Sequence, residues 1–158
     1  MQAEFVAGVI DLLHGVHILL DTSGFGEERD FYDLVTRSDL VFFDLKIMDP
    51  VLHQRYTGCN NDLILANLEI LSASGKPFVI RVPLIPGVTD TDENLSAIAQ
   101  KVCRLPGLVQ VDLLPYNRSA GSKYKYAGME FNPDYDETRP LNIPVTLFEQ
   151  KGVKVFIR

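Results

Sequence analysis

The strongest constraint on this chain is an alternation of short, continuously apolar segments with longer stretches that carry apolar residues at helical spacing. The segments at 40–44, 78–84 and 109–115 read LVFFD, FVIRVPL and VQVDLLP and are rich in β-branched and aromatic residues. Parallel strands need long crossover connections, and strands buried on both faces lose the usual polar alternation. The alternation therefore predicts an α/β fold, a parallel sheet with helical crossovers whose strands are buried on both faces.

Further elements follow from the same two patterns. A strand is predicted at 16–20, and another in the segment GVKVFIR. Asp90 with Glu93 three residues later resembles a capping box, which predicts the start of a helix that includes Val102. The other helices are predicted over 3–13, 28–37 and around 63–71, and before the last strand.

Length and charge narrow the class of protein. A chain of 158 residues is most simply one domain, and it is long enough to bury a core. A net charge of −6 leaves no basic field for a nucleic acid or an anionic membrane. No apolar run approaches the roughly 18 residues of a membrane-spanning helix, and the N-terminus lacks the basic part of a signal peptide. We therefore expect a cytoplasmic protein without nucleic-acid or membrane partners. The two cysteines, Cys59 and Cys103, lack disulfide or metal-binding spacing and are predicted to be reduced thiols.

Polar residues stand at the end of each predicted strand. In a parallel sheet these ends converge on one edge, where α/β proteins bind ligands. Such a set suits a ligand with both a carboxylate and an amine, with Lys46 or Arg81 facing the anion. Simpler interpretations stay open: an exposed ion pair for Asp44 and Lys46, and a side chain that reaches solvent for Arg81. The candidate residues are Asp21, Thr22, Asp44, Lys46, Arg81 and Asn117.

The segment from Tyr116 to Pro140 is irregular and rich in Gly, Pro, Tyr and charge. A loop of this length in a compact domain is usually functional or disordered. Exposed tyrosines and cations are common at interfaces, so KYKY at 123–126 is a candidate docking segment for a partner. The alternative is a solvated loop that is disordered around 133–136.

Several short motifs occur in an order that is specific when they are taken together. They are DTSGF (21–25), DLVFFDLKIMDP (39–50), H-x3-TG-x-N (53–60), NLEIL (67–71), IRVPLIPGVTD (80–90) and LLPYN (113–117). With these motifs the chain resembles the pyruvate formate-lyase-activating enzymes. These are glycyl-radical-enzyme activases of the radical S-adenosylmethionine superfamily.

The resemblance implies an open (β/α)6 partial barrel of TIM type that lacks its first β/α units, with residues 1–158 as one domain from its C-terminal part. It implies a parent oxidoreductase in which a [4Fe-4S] cluster and S-adenosylmethionine generate a 5′-deoxyadenosyl radical. That radical abstracts hydrogen from a glycine of a partner, pyruvate formate-lyase or a related dehydratase.

The resemblance also assigns cofactor-binding residues. Asp44, Leu45 and Lys46 match the family's Asp-Leu-Lys segment, which contacts S-adenosylmethionine. Arg81 matches an arginine that lies over the same ligand. Asn117 stands where better-known members carry a histidine that contacts the adenine, which leaves a dehydratase partner open.

A monovalent cation is a further implication of the resemblance. Asp21 and Thr22, together with Asp44, match family positions near the methionine carboxylate where such an ion is held. Oxygen ligands of this kind suit a hard cation.

Two family motifs are missing from the sequence. It contains neither the C-x3-C-x2-C triplet that holds the iron-sulfur cluster nor the Gly-Gly-Glu-Pro segment that binds the methionine amine. Two separated cysteines cannot supply three thiolates. We therefore expect a C-terminal fragment of an activase that cannot bind the cluster, has no catalytic residue of its own and is inactive alone.

Two other interpretations stay open. One is a non-catalytic remnant that binds a nucleoside or a protein partner without iron. The other is a Schiff-base aldolase of the barrel type, in which Lys46 attacks a carbonyl.

Overall fold

The computed structural model describes residues 2–117, 119, 123, 124 and 126–158. Within them, five parallel strands form one sheet, and their order in the sheet is their order in the sequence. The strands are β1 (Leu19–Thr22), β2 (Leu40–Asp44), β3 (Phe78–Leu84), β4 (Leu108–Pro115) and β5 (Val155–Ile157). The predicted α/β fold, a parallel sheet with helical crossovers, is confirmed.

Helices connect the strands. They are α1 (Ala3–Leu12), α2 (Glu28–Thr36), α3 (Pro50–Thr57), α4 (Asp62–Ala73), α5 (Asp92–Val102) and α6 (Val145–Glu149). Among the described residues, none of these helices has the length and apolarity needed to cross a bilayer.

One face of the sheet forms the hydrophobic core. Phe43 of β2 and Ile80 of β3 are fully buried in the same cluster as Leu68 of α4 and Ile98 of α5. Successive residues of a strand point to opposite faces, so Phe42 and Arg81 belong to the other face.

That other face lines an open groove of about 490 Å³, so the expectation that the strands are buried on both faces is not met here. The groove is lined by strand residues and Arg158, among them Leu40, Phe42, Val79 and Leu114. The apolar residues of this face therefore line a groove, which explains why the strands lack polar alternation.

The first strand begins later than its sequence pattern predicts, at Leu19 instead of residue 16. The reason lies in Asp39, whose carboxylate Oδ2 accepts a hydrogen bond from the Ile18 amide at 2.7 Å. The Ile18 carbonyl in turn accepts from the Asp39 and Leu40 amides, so regular pairing with β2 starts only after this side-chain contact.

Helix α3 follows the Met-Asp-Pro turn and was not predicted. Asp49 is its N-cap, because its Oδ1 accepts hydrogen bonds from the Val51 and Leu52 amides at 2.9 and 2.8 Å. Pro50 occupies the first helical position, where its missing N–H costs nothing. The helix ends at Gly58 with a φ of +82°.

The predicted capping box at Asp90 and Glu93 is wrong. The N-cap of α5 is Thr91, whose Oγ1 accepts from the Asn94 amide at 3.2 Å. The Asp90 carboxylate instead accepts from the Gly87 amide at 2.6 Å and from the Asn142 amide at 3.0 Å. Asp90 therefore holds the turn before the helix.

The chain after β4 makes defined contacts with the carboxyl edge of the sheet, including the segment around 133–136. Asp134 forms an ion pair with Arg55 of α3 at 2.8 Å, and the rings of Tyr135 and Tyr116 lie edge to face with centroids 5.7 Å apart. These contacts do not support the expectation of disorder there. Residues 120–122 and Lys125 lie outside the described residues, so docking by the segment 123–126 stays a prediction.

Candidate functional site

The centre of the candidate site is Arg81, which lies between two aspartates at the carboxyl edge of the sheet. Asp44 and Arg81 are paired across β2 and β3, and the Arg81 Nε and Nη2 atoms lie 3.0 and 2.8 Å from Asp44 Oδ1. Nη2 also donates to Asp21 Oδ1 at 2.5 Å. The guanidinium carbon lies 5.3 Å from the centre of the Phe42 ring. The parallel register thus brings Asp21, Asp44 and Arg81 together, as the sequence predicts.

Lys46 extends the cluster beyond the end of β2. Its Nζ lies 3.4 Å from Asp44 Oδ2, and its side chain is 35% exposed. Asp44 therefore uses one carboxylate oxygen for Arg81 and the other for Lys46. Leu45 contributes only its backbone to this edge, because its side chain is buried in the core and its amide donates to the Arg81 carbonyl at 2.9 Å.

The residues assigned to a monovalent cation have other partners. Asp21 and Asp44 are both bound to Arg81, and Thr22 Oγ1 accepts from the Gly24 amide at 3.0 Å, where it shapes the turn after β1. Asp21 and Thr22 also point to opposite faces of the strand. Both carboxylates are thus already paired with Arg81, and a cation held by these three residues stays a prediction. Within the described ranges, no group of three or more His, Cys, Asp or Glu side chains could hold a metal ion.

Asn117 lies just beyond β4, at the same edge of the sheet. Its side chain is exposed, and its Oδ1 accepts from the Ser119 amide at 2.9 Å. This turn fixes the direction of the chain after β4. No hydrogen bond joins Asn117 to Arg81 or Lys46 in the part of the chain that the structure describes, so its role towards a ligand stays a prediction.

Two buried asparagines that the sequence did not predict as part of the site, Asn67 and Asn61, hold the loops that follow β1 and β2. Asn67 of α4 donates from Nδ2 to the Gly24 and Gly26 carbonyls at 2.7 and 2.8 Å, after β1. Its Oδ1 is buried without a hydrogen-bond partner among the described residues. Asn61 donates from Nδ2 to the Ile47 and Met48 carbonyls at 3.0 and 2.9 Å, after β2. The loops are therefore held from outside the site.

A buried carboxylate lies in the groove next to the cluster. Asp112 of β4 is paired in register with Arg81 of β3, and its side chain is only 7% exposed. Its Oδ1 accepts from Gln110 Nε2 at 2.7 Å, and its Oδ2 lies 3.4 Å from Arg158 Nε. The floor of the groove therefore combines apolar side chains with paired charges.

Comparison with known proteins identifies the relatives of this arrangement. No protein-family model matches the sequence. The chain is 37% identical over 142 residues to trans-4-hydroxy-L-proline dehydratase activating enzyme of Clostridioides difficile, a match that covers 85% of this chain and 47% of the relative. It is 36% identical to 4-hydroxyphenylacetate decarboxylase activating enzyme of the same species, over 83% of this chain and 42% of the relative. The homologues of this chain are glycyl-radical-enzyme activating enzymes. The chain spans about half the length of the curated relatives it matches.

A solved structure supports the fold of this chain. A domain of pyruvate-formate lyase-activating enzyme from Bacteroides vulgatus superposes with a TM-score of 0.78, covering 99% of this chain and 91% of the other. The two sequences are 24% identical, so the likeness concerns the fold alone. It agrees with the parallel sheet and its helical crossovers.

The thiols of this chain do not fit the iron-sulfur cluster that activating enzymes use. Cys59 follows α3, and Cys103 ends α5 with its Sγ donating to the Gln100 carbonyl at 3.3 Å. The sequence contains two cysteines in all, whereas a [4Fe-4S] site of this class needs three protein thiolates. The charged edge, in contrast, combines two cations, Lys46 and Arg81, with carboxylates.

Proposed function

We propose that this chain supplies the S-adenosylmethionine-binding edge of an activating enzyme that generates a glycyl radical in a dehydratase or a decarboxylase. The observation that supports this most directly is the charged cluster at the carboxyl edge of the sheet, formed by Asp21, Asp44, Lys46 and Arg81. The homologues of the chain that carries this cluster are activating enzymes. In such an enzyme, one electron from a reduced cluster would split S-adenosylmethionine into methionine and a 5′-deoxyadenosyl radical, the species that would abstract a hydrogen atom from a glycine. The residues of this chain bind and orient that cofactor.

Lys46 is the residue that we assign to the methionine carboxylate. Arg81 already donates to two aspartates through Nε and Nη2, and its side chain is 21% exposed. Among the described residues, Lys46 has one acidic neighbour, Asp44 at 3.4 Å, and it faces solvent with about a third of its side chain. An ammonium with free donors forms a charge-assisted hydrogen bond with a carboxylate.

Asp44 orients the two cations of the site. One of its oxygens holds Arg81 and the other faces Lys46, so the carboxylate fixes the distance between the guanidinium and the ammonium. The Leu45 backbone continues this edge, and Asn117 offers an amide that can donate to and accept from an adenine edge. Among the charged residues, Asp21 contributes by anchoring Arg81.

The experiment measures binding of S-adenosylmethionine to the purified chain by calorimetry, without iron. We expect Lys46→Ala to weaken binding by about tenfold or more, because a hydrogen bond to a charged group is lost. Lys151→Ala is the matched control, since Lys151 is exposed beyond α6 and far along the chain from the cluster. Equal affinity of the wild-type chain and Lys46→Ala would contradict the assignment.

The chain alone should bind the cofactor without cleaving it, because it has two thiols instead of three. We expect no 5′-deoxyadenosine when iron, sulfide and a strong reductant are added. Formation of that product by the purified chain would show that the cluster can be held by other ligands.

The small number of thiols also favours a second candidate, a binding protein without radical chemistry. Such a protein would hold a nucleoside or a protein partner under iron-free conditions, and the same calorimetry with adenosine alone distinguishes it. The Schiff-base alternative receives no support, since Lys46 is partly exposed beside a carboxylate and not in a desolvated pocket.

A further inference from the structure

A third buried asparagine, Asn94, lies in the first turn of α5 and uses its whole amide group at the carboxyl edge. Its Nδ2 donates to the Lys46 carbonyl at 2.8 Å and to the Thr89 carbonyl at 2.9 Å. Its Oδ1 accepts from the Met48 amide at 2.9 Å. Because two carbonyls require the NH₂ group and one amide requires the oxygen, these partners determine how the side chain is oriented.

These bonds fix the backbone on both sides of Ile47, the residue that directly follows Lys46. The Lys46 carbonyl and the Met48 amide are both bound to Asn94, and Asn61 binds the Ile47 carbonyl from the other side. Within the part of the chain that the structure describes, the Lys46 ammonium has only the 3.4 Å ion pair with Asp44. The direction of the Lys46 side chain is therefore set mainly by its backbone.

Asn94 is itself anchored in a rigid turn. Its own amide donates to Thr91 Oγ1 at 3.2 Å, in the cap of α5. Thr89 Oγ1 accepts from the Ile85 amide at 2.6 Å and donates to the Pro83 carbonyl at 2.5 Å, which closes the turn after β3. Asn94 thus connects the end of β2 to the end of β3 through a segment with few remaining degrees of freedom.

We propose that Asn94 is a positioning residue for Lys46, and that it holds the ammonium where the carboxylate of an amino-acid-type ligand binds. This inference rests on the proposed function, because the ligand is S-adenosylmethionine. Asn94 does not touch the ligand in this proposal; it acts through the backbone of residues 46–48. Its effect on affinity therefore depends on the presence of the Lys46 side chain.

A double-mutant cycle tests this dependence. S-Adenosylmethionine affinity is measured for the wild-type chain, Asn94→Ala, Lys46→Ala and the double variant. We expect Asn94→Ala to weaken binding about fivefold or more when Lys46 is present and to have no further effect when Lys46 is alanine. An equal loss in both backgrounds would mean that Asn94 acts on the fold in general, and would overturn the proposal.

A control separates positioning from stability. Ser72 is as buried as Asn94, but its Oγ donates to the Pro106 carbonyl at 3.0 Å, at the opposite edge of the sheet. Ser72→Ala should lower stability without a change of affinity. If it weakens binding as much as Asn94→Ala does, the effect of Asn94 is not specific.

A ligand-free measurement keeps this inference separate from the proposed function. In NMR spectra we expect Asn94→Ala to speed hydrogen exchange of the Met48 amide and to shift the Lys46 side-chain resonances, while Ser72→Ala changes neither. If the wild-type chain binds no S-adenosylmethionine, the proposed function fails but this result still decides whether Asn94 holds Lys46. Unchanged Met48 exchange and Lys46 resonances in Asn94→Ala would overturn the inference.

Discussion

Gly24 lies directly against the ring of Phe43, the fully buried aromatic residue at the centre of β2. A Cβ atom at position 24 would stand 2.3 Å from the Phe43 Cζ atom, and the glycine has a φ of +72°. The turn that follows Asp21 and Thr22 therefore packs on the core side of the strand that carries Asp44. Both the turn and the strand end depend on this close approach.

Gly24→Ala should consequently destabilise the protein by more than the backbone strain of an alanine at positive φ alone would. Gly58 is the matched control, because its φ is +82° and nothing lies within 4 Å of an added Cβ. We expect Gly58→Ala to cost about 1–2 kcal/mol from backbone strain, and Gly24→Ala a further 1–3 kcal/mol or so from overpacking. Urea unfolding of both variants measures the difference; equal losses would show that the turn can move away from Phe43.

The two aspartates that bind Arg81 should differ in their contribution to stability. Asp44 is 20% exposed and accepts from two Arg81 nitrogens, whereas Asp21 is 53% exposed and accepts from one. We expect Asp44→Asn to lower the free energy of unfolding by about 1–3 kcal/mol and Asp21→Asn by less than about 1 kcal/mol.

Salt provides the control for this comparison. Added salt should reduce the small Asp21 effect more than the Asp44 effect, because exposed pairs are screened more strongly. A larger loss for Asp21→Asn than for Asp44→Asn in urea unfolding would contradict the arrangement around Arg81.

Tyr116 should make stability depend on pH in the alkaline range. Burial raises the pKa of Tyr116 above its ordinary value, and the hydrogen bonds with Glu137 and Tyr135 act in the same direction. Because the pKa is higher in the folded state, the stabilisation is present below the ordinary tyrosine pKa of about 10 and is lost as the pH rises through the folded-state value. We expect the free energy of unfolding to fall above about pH 10 in the wild-type chain and less in Tyr116→Phe.

The tyrosinate absorbance identifies the residue responsible. Tyr116→Phe should remove the component that titrates at the highest pH. Tyr126→Phe is the control, because Tyr126 is 92% exposed. The assignment is wrong if the two variants have the same titration curve.

The sequence predicts the parts of the site that depend on strand direction alone. β2 and β3 begin and end where their apolar runs do, and a parallel register then brings Asp44 next to Arg81. Helix α3 was not predicted because Met-Asp-Pro is equally typical of a turn. Only the hydrogen bonds of Asp49 with two backbone amides distinguish a helix cap from such a turn.

The asparagines show what a single sequence cannot provide. Asn94 bonds to residues 46 and 48 positions away, and Asn67 to residues 41 and 43 positions away. Nothing in the local pattern of either helix indicates these distant partners, since a polar residue in a helix usually faces water. A useful signal is an asparagine on an otherwise apolar helical face, as Asn67 is within NLEIL.

Because amide side chains of α4 and α5 hold the backbone of the loops, an exposed side chain at this edge is not needed for that task. Positions such as Lys46, whose ammonium lies 3.4 Å from Asp44 Oδ2, can then change without loss of the backbone that presents them. A scaffold of this kind can be adapted to new recognition tasks one exposed residue at a time, while its asparagines keep the backbone in place.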